Sequence, residues 1–220
     1  MAELTDPDVD LLKVFNGWGR SLDGWAASTV TFLGEYGLAL ALVLMVPLVW
    51  FLVRRRPDAP QAVAMVAWAP LAAAVAYGFN QPISALVARP RPFLDHADVI
   101  PMIEGKGGWS FVSDHSSAAM AIAVGLLLVH RKLGLVAVAL ALFQAMLRLM
   151  LGVHYPTDVV GGIALATAVT LLLLPLAVWA LTPLVRWCAG ISWLRWIAPG
   201  PEGGPGAARP RAPLEKDLAA

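Results

Sequence analysis

Five long apolar runs constrain the fold of this chain more than any other feature of its sequence. They cover residues 29–53, 61–88, 113–129, 133–151 and 159–181, and charged or proline-rich segments separate them. About 20 apolar residues form a helix long enough to cross the hydrocarbon core of a bilayer. The composition agrees with membrane insertion, because 59% of the 220 residues are hydrophobic. The sequence therefore predicts an all-α integral membrane protein with a bundle of about five transmembrane helices.

The segments that flank the apolar runs predict further elements. Between residues 8 and 28, apolar residues recur at helical spacing among charged ones, which favours an N-terminal helix that is interfacial or partly inserted. A helix that simply covers the bundle fits the same pattern. Residues 182–198 contain three tryptophans and are predicted to be a second interfacial segment. Glycine and proline dominate afterwards, so we expect one membrane domain over residues 1–198 and a disordered tail over residues 199–220.

The basic residues predict how the bundle is oriented. Three basic clusters fall on the same side of a five-span bundle: residues 54–56, 131–132 and 186–195. Such clusters mark the cytoplasmic side of a membrane. The loop of residues 89–112 and the turn of residues 148–158 then both face the extracytoplasmic side of the plasma membrane. Asn80, near the outer edge of the second run, is expected to meet water there.

The net charge, the cysteine content and the N-terminus bear on possible partners, cysteine-based sites and targeting. The net charge is only +1 and the 16 basic residues are not gathered on one face, so we expect no nucleic-acid partner. The single cysteine, Cys188, can form neither an internal disulfide nor a thiolate metal cluster. The N-terminus is acidic where a secretory signal is basic, so we expect no cleaved signal peptide. No feature of the sequence predicts an oligomeric state.

The segment from Arg148 to Asp158 is the most informative polar stretch of the chain. It places Arg148 in the last turn of the fourth run, Asp158 in the first turn of the fifth, and His154 between them. Ionisable residues at such positions are costly to keep near hydrocarbon and usually serve a function. An interfacial turn whose polar residues reach into water is the alternative interpretation.

Two further polar groups lie at the ends of runs on the same predicted side. Ser113 is predicted to cap the third helix, ahead of Asp114 and His115, so that backbone N–H groups point outward in an arrangement that suits phosphate. Arg89 and Arg91 follow the second run, and each precedes a proline. The guanidinium group of arginine matches pairs of phosphate oxygens.

The order of these motifs resembles the type 2 phosphatidic acid phosphatase superfamily of membrane lipid phosphatases. The chain has Arg-Pro after the second run, Ser-x-His opening the third, and Arg-x5-His-x3-Asp across the last turn, all within residues 80–162. Within that superfamily the chain is most similar to the bacitracin-resistance type of undecaprenyl-diphosphate phosphatase. That type has a Glu-Tyr pair and a His-Tyr-Pro-x-Asp-Val-x-Gly turn, which look like Glu35-Tyr36 and residues 154–161 here.

The resemblance implies a phosphoric or diphosphoric monoester hydrolase that needs neither a metal nor another cofactor. His154 would be the nucleophile that forms a phosphohistidine, Asp158 would hold the other ring nitrogen of His154, and His115 would protonate the leaving lipid oxygen. A further set of residues would form the phosphate-binding region: Arg148, Arg91, Arg89, Ser113 and Asp114. Within this set Asp114 would have a structural role at the helix N-terminus, because its charge repels phosphate.

Departures from the family pattern leave two points open. The first motif lacks its lysine whether Arg89 or Arg91 ends it, and Arg91 is preferred because Pro-Arg-Pro-Phe looks like the usual ending. Lys106, in a glycine-rich loop, is a candidate replacement for that lysine. In the second and third motifs, Asp114 stands where glycine is usual and Leu147 where serine is common.

The resemblance favours undecaprenyl diphosphate as the substrate. A glycerolipid phosphatase, acting on phosphatidic acid or phosphatidylglycerophosphate, is one alternative, and a phosphatase for prenyl-phospho-sugars is another. The alternative from a different class is a catalytically inactive subunit that binds or transports lipid, since the missing lysine is compatible with lost chemistry.

Overall fold

The computed structural model describes residues 6–199, and no strand occurs within that range. The helices are α1 (Pro7–Arg20), α2 (Gly24–Phe32), α3 (Leu38–Val53), α4 (Ala59–Val87), α5 (Pro92–Asp95), α6 (Asp114–Val129), α7 (Arg131–Met150), α8 (Pro156–Leu172) and α9 (Leu174–Gly190). A π-helical turn (Leu33–Gly37) joins α2 to α3, and a 3-10 helix (Ser192–Ile197) follows α9. The all-helical class predicted from the apolar runs is confirmed. The predicted tail, apart from Pro199, lies outside the described residues.

Apolar helices account for all five predicted runs. Three helical segments are each long and apolar enough to cross a membrane: Gly24–Val53, Ala59–Asp95 and Arg131–Met150. Helices α8 and α9 pass the same test together, although they are bent by 53° relative to each other. Helix α6 is apolar but has only 16 residues, which corresponds to about 24 Å of helix. Helix α6 is therefore shorter than the hydrocarbon core of a bilayer, which is about 30 Å thick.

The fifth predicted run differs from the structure, because residues 159–181 are not one straight span. Helix α8 ends at Leu172, and α9 continues to Gly190, well into the segment predicted to be interfacial. The break has a local cause. Pro175 lies in the first turn of α9, and a proline has no N–H with which to continue the hydrogen-bond ladder of α8.

The N-terminal helix is shorter than predicted and lies against the bundle. It ends at Arg20 rather than near residue 28, and residues 24–28 belong to the first membrane-spanning segment. Its buried face contacts α7 and α8, and Asn16 Nδ2 donates hydrogen bonds to Ile100 O (3.0 Å) and Met150 O (3.1 Å). Its other face leaves Trp18 exposed. Helix α1 thus covers the bundle and also presents an apolar surface outward.

Helix α6 is the centre of the bundle and packs against α3, α4, α7 and α8. Its buried face begins with small residues, including Ser116, Ser117, Ala119, Ala121, Ala123 and Gly125. Small residues let helices approach closely within a membrane. The approach of α4 to α6 is close at Gly125, where an added Cβ would lie 2.6 Å from Ala69 Cβ and 2.8 Å from Ala69 Cα.

We expect Gly125→Ala to lower the free energy of unfolding by about 1–3 kcal/mol, because overpacking at this contact forces α4 and α6 apart. Gly78→Ala is the matched control, since Gly78 is a helical glycine of α4 with nothing within 4 Å of an added Cβ. In Gly78→Ala only the higher helix propensity of alanine acts, so the free energy of unfolding stays equal or rises slightly. Unfolding of the purified variants in detergent measures both effects, and equal stability would contradict the tight packing.

The two ends of the bundle differ in charge. At one end Arg56 Nη1 donates to Val129 O (3.3 Å) and Arg54 Nη1 donates to Trp196 O (3.1 Å), which brings the predicted basic clusters together. Since α6 ends and α7 begins at this end, the start of α6 and the end of α7 lie at the other. The predicted site residues lie at that second end.

Candidate active site

His154 is buried, and its ring orientation is set by a backbone carbonyl. Its exposed fraction is 4%, and Nδ1 lies 2.9 Å from the carbonyl oxygen of Ser110. A carbonyl oxygen only accepts hydrogen bonds, so the proton of the neutral ring is on Nδ1 and the lone pair is on Nε2. The sequence predicted Asp158 as the partner of Nδ1. Asp158 Oδ2 lies 3.7 Å from Nδ1, which is longer than a hydrogen bond, and the role of Asp158 stays a prediction.

Asp158 is fully buried and fixed by the first turn of α8. Its Oδ2 accepts a hydrogen bond from Tyr155 N (2.8 Å), and its Oδ1 accepts one from Arg89 Nη1 (3.0 Å). The bond to Tyr155 is half of a capping box at the start of the helix. Asp158 therefore acts on His154 through its charge rather than through a direct hydrogen bond.

Arg89 is engaged with two carboxylates. Besides Asp158, its guanidinium donates to Thr157 Oγ1 (2.7 Å) and Asp8 Oδ2 (2.7 Å) and stacks 3.5 Å from the centroid of the Tyr155 ring. Asp8 also accepts hydrogen bonds from the N–H and hydroxyl of Thr157. The phosphate-binding role of Arg89 stays a prediction. Its geometry is that of a bridge from α1 to the start of α8.

Arg91 lies on the other side of the site, close to Arg148. It is buried, donates from Nη1 to Val153 O (3.0 Å) and from Nε to Gly107 O (2.9 Å), and interacts electrostatically with Arg148. No carboxylate within residues 6–199 forms an ion pair with it. Of the two arginines that the sequence left open, Arg89 binds Asp158, whereas Arg91 lies close enough to Arg148 for their charges to interact.

Arg148 projects from the last turn of α7 toward the π-helical turn. Its exposed fraction is 1%, and Nη1 donates to Gly34 O (3.1 Å) and to Glu35 Oε2 (2.9 Å). Glu35 Oε1 accepts a hydrogen bond from Lys106. The Nε of Arg148 is buried and has no partner within residues 6–199. A π-turn is a local irregularity that often marks a functional site, and here it brings Glu35 to Arg148.

Ser113 caps α6, as its position predicted, but its side chain is fully buried. Its Oγ accepts hydrogen bonds from Ser116 N (3.4 Å) and Ser116 Oγ (3.1 Å), so the hydroxyl is already engaged. Asp114 accepts a hydrogen bond from Asn80, whose Nδ2 also donates to Val112 O (3.0 Å). Asn80 was expected to meet water, yet only 2% of it is exposed. It holds the start of α6 to α4.

His115 lies in the first turn of α6, at the end of an apolar groove. The groove has a volume of about 260 Å³ and is lined by side chains of α3, α4 and α6, Tyr77 among them. The charges of Arg148, Glu35, Lys106 and His154 all act on His115. This imidazole therefore stands between a charged cluster and a surface that suits an alkyl chain.

Comparison with known sequences decides the family. Residues 65–182 match the PAP2 superfamily. The chain belongs to the PAP2 superfamily. The predicted family and the predicted enzyme class, a phosphoric monoester hydrolase, are thereby confirmed.

Two curated relatives of this PAP2 phosphatase are informative. Undecaprenyl-diphosphatase BcrC of Bacillus subtilis (strain 168) is 31% identical over 140 residues, which is 63% of this chain and 68% of that protein. Decaprenylphosphoryl-5-phosphoribose phosphatase of Mycobacterium tuberculosis is 38% identical over 96 residues, or 43% of this chain and 51% of that protein. Both are named as phosphatases of prenyl lipids.

A solved structure supports the fold of the PAP2 phosphatase. It is a transmembrane PAP2 type phosphatidylglycerolphosphate phosphatase from Bacillus subtilis, with a TM-score of 0.54 and 20% sequence identity. The match covers 80% of this chain and 88% of the other. The membrane bundle predicted from the apolar runs is therefore shared with a transmembrane enzyme of the family.

Sequence reasoning missed two contributors to the site of the PAP2 phosphatase. Ser110 contributes through its backbone carbonyl, which every residue type carries, so its identity gave no signal. Asp8 contacts Arg89 from a helix that was interpreted only as amphipathic. The sequence did contain a signal that Asn80 forms hydrogen bonds inside the bundle, since an amide within an apolar run is costly unless it is hydrogen-bonded.

We predict that the kcat/KM of this PAP2 phosphatase falls on the acid side only below pH 6.5. Burial lowers the pKa of His154 from its ordinary value of 6.5, and the charges of Arg148 and Arg91 lower it further, whereas Asp158 raises it. A lowered pKa keeps the ring neutral at physiological pH, and activity is lost only as pH falls through that pKa. Asp158→Asn should move this acid limb to still lower pH.

The pH dependence of kcat/KM for one substrate, measured on both proteins, tests this expectation. Ionisation of the free substrate is common to both profiles, so the difference between them isolates the enzyme. An acid limb that moves to higher pH in Asp158→Asn would contradict the charge effect assigned to that carboxylate.

Proposed function

We propose that this PAP2 phosphatase hydrolyses undecaprenyl diphosphate to undecaprenyl phosphate on the extracytoplasmic side of the plasma membrane, through a phosphohistidine intermediate. The observation that carries the proposal is the state of His154. Its Nδ1 donates to the carbonyl of Ser110, which leaves the lone pair of Nε2 free, and the guanidinium groups of Arg148 and Arg91 interact with the ring electrostatically. A neutral imidazole beside two cations suits attack on a phosphorus atom.

In the first step, Nε2 of His154 attacks the terminal phosphorus and the bond from phosphorus to the bridging oxygen breaks. His115 donates its proton to that leaving oxygen, so undecaprenyl phosphate departs without an unstabilised charge. Arg148 and Arg91 stabilise the negative charge on the equatorial oxygens. Asp158 stabilises the positive charge on the phosphorylated ring, as a buried carboxylate does behind a catalytic histidine.

In the second step, water attacks the phosphohistidine, the nitrogen–phosphorus bond breaks, and His154 regains its lone pair. His115 is now neutral and accepts the proton of the attacking water, which restores both residues to their starting state. Free phosphate leaves. Among residues 6–199, no group of three or more histidine, cysteine or acidic side chains is placed to hold a metal ion, and the two steps assign every proton and bond to residues already named.

The substrate is inferred from the relatives and from topology. The relative named undecaprenyl-diphosphatase is matched over 68% of its length, whereas the match to the phosphoribose phosphatase covers 51%. The site lies at the end opposite to the basic clusters, and the positive-inside rule supports an extracytoplasmic position for that end. The match to the phosphoribose phosphatase keeps prenyl-phospho-sugars as the second candidate class.

The test compares phosphate release from four substrates by the purified protein: undecaprenyl diphosphate, a prenyl-phospho-sugar, phosphatidic acid and phosphatidylglycerophosphate. We expect the kcat/KM for the diphosphate to exceed the others by about tenfold or more, a difference of about 1.4 kcal/mol, with activity retained in EDTA and inhibited by vanadate. A preference for another substrate refutes the assignment. Impermeant labelling of Glu104→Cys and Lys132→Cys, with Cys188 replaced by serine, should modify only the first from outside.

A further inference from the structure

Lys106 is a cation beside the site that the two steps do not use. It lies in the glycine-rich loop after α5, and its ammonium group forms an ion pair with Glu35. The same carboxylate binds Arg148 through its other oxygen, at 2.9 Å. Glu35 therefore holds Lys106 next to a proposed phosphate-binding arginine. The side chain of Lys106 is still 23% exposed.

Glu35 fixes the position of Lys106 relative to Arg148. One carboxylate oxygen of Glu35 accepts from Lys106 and the other from Arg148 Nη1, so the ammonium group lies next to that guanidinium. A diphosphate whose terminal phosphate is bound by Arg148 can therefore place its second phosphate beside Lys106.

Open space adjoins Lys106. A cleft of about 980 Å³ lies between the α1–α2 turn, α2 and residues 102–106, and both Lys106 and Glu35 line it. Its other polar lining residues are Arg20, Ser28, Thr31 and Glu104, and apolar side chains complete the lining. An ammonium group has three N–H donors. Lys106 can therefore keep its bond to Glu35 and still donate to an anion in the cleft.

We propose that Lys106, positioned by Glu35, binds the phosphate that stays on the lipid and so makes this enzyme selective for lipid diphosphates over lipid monophosphates. This inference rests on the proposed function. The phosphate next to the breaking bond gains negative charge as the terminal phosphoryl group leaves, and an ammonium group beside it stabilises that charge. A monophosphate has no second phosphate on this side, so Lys106 contributes little to its hydrolysis.

The test uses two substrates with the same tail, farnesyl diphosphate and farnesyl phosphate, and the full-length protein. We expect Lys106→Gln to lower the ratio of kcat/KM for the diphosphate to that for the monophosphate by about tenfold or more, the effect of one charge-assisted hydrogen bond. Lys106→Arg retains most of the ratio because it retains the charge. The ratio is independent of the fraction of folded enzyme, since both substrates meet the same preparation.

Lys132→Gln is the matched control, because Lys132 is an exposed lysine at the opposite end of the bundle, and it should leave the ratio unchanged. If wild type hydrolyses both substrates and Lys106→Gln loses the same factor of kcat/KM with each, this inference alone is overturned. The ion pair between Lys106 and Glu35 then serves only to anchor the loop. Absence of wild-type turnover for both substrates overturns the proposed function together with the inference.

Discussion

Replacing His154 by alanine is expected to reduce phosphate release by at least about 10³-fold, the scale at which enzymes lose activity when the nucleophile is removed. The reason is that no other described imidazole has its Nδ1 fixed by a carbonyl within a cluster of arginines. Water attacking the substrate directly would have to replace the nucleophile without a general base in position. Phosphate release by purified wild type and variant measures the loss.

His130→Asn is the matched control for this substitution. His130 caps α7 at the basic end of the bundle, where its Nδ1 accepts from Leu133 N (3.3 Å), and asparagine retains a capping side chain. We expect its activity to stay close to that of wild type. Thermal unfolding of both variants separates loss of chemistry from loss of fold.

The covalent intermediate gives a second readout of the same prediction. Wild-type enzyme mixed with a substrate labelled in the terminal phosphate and quenched in alkali should carry label that acid removes, as a phosphorus–nitrogen bond requires. His154→Ala should carry none. Labelling of the variant at the wild-type level would refute the assignment of His154 and point to another nucleophile.

The parts of the site that lie close together in sequence were predictable, whereas the contacts between distant segments were not. His154 and Asp158 are four residues apart, so their proximity follows from the first turn of a helix. Ser110 is 44 residues from His154, and Glu35 is 113 residues from Arg148. No periodicity or spacing relates such positions. Only the packing of α6, α7 and the π-helical turn brings them together.

The assignment of the two arginines illustrates the same limit. Both Arg89 and Arg91 precede a proline, and local sequence gave only a weak preference between them. The decision depends on Asp8, which is 81 residues from Arg89 and neutralises it from α1. Hydrogen bonds from Thr157 and Arg89 outweigh the effect of burial and hold the pKa of Asp8 below its ordinary value, so this bridge is charged at physiological pH. Arg91, by contrast, donates to the backbone carbonyls of Gly107 and Val153 and forms no ion pair with a carboxylate among the described residues, although the charges of Asp114, Asp158 and Glu35 act on it.

The bundle was predictable as a set of apolar runs but not in its irregularities. Hydropathy averages over a window, so it located every apolar helix and did not detect the bend before Pro175 or the π-turn at Leu33–Gly37. The π-turn matters for function because it contains Glu35, and Gly34 O accepts from Gln144 and Arg148. Polar side chains of α7 stabilise this irregular backbone within the bundle.

The second large effect is expected at His115, where substitution by asparagine should lower kcat/KM for the lipid substrate by about 10²–10⁴-fold, the contribution of a general acid. The lipid substrate for this test is farnesyl phosphate, whose leaving alkoxide oxygen is a poor leaving group until it is protonated. The phosphate that leaves from a lipid diphosphate has a second pKa of about 6 and needs less help from an acid. The His115 ring lines the apolar groove together with Asp114 and Tyr77, and the charges of Arg148 and Lys106 act on it. Asparagine has similar size and polarity there but carries no transferable proton.

The comparison with p-nitrophenyl phosphate isolates this role, because its phenolate leaves without a proton. Since kcat/KM reports only the steps through the first phosphoryl transfer, the later use of His115 in activating water does not enter the comparison. His115→Asn should therefore lose far less kcat/KM with the aryl phosphate than with the lipid. Equal losses for both substrates would mean that His115 binds phosphate rather than protonates the leaving oxygen, and the acid would then have to be sought among the other groups that face the cleft.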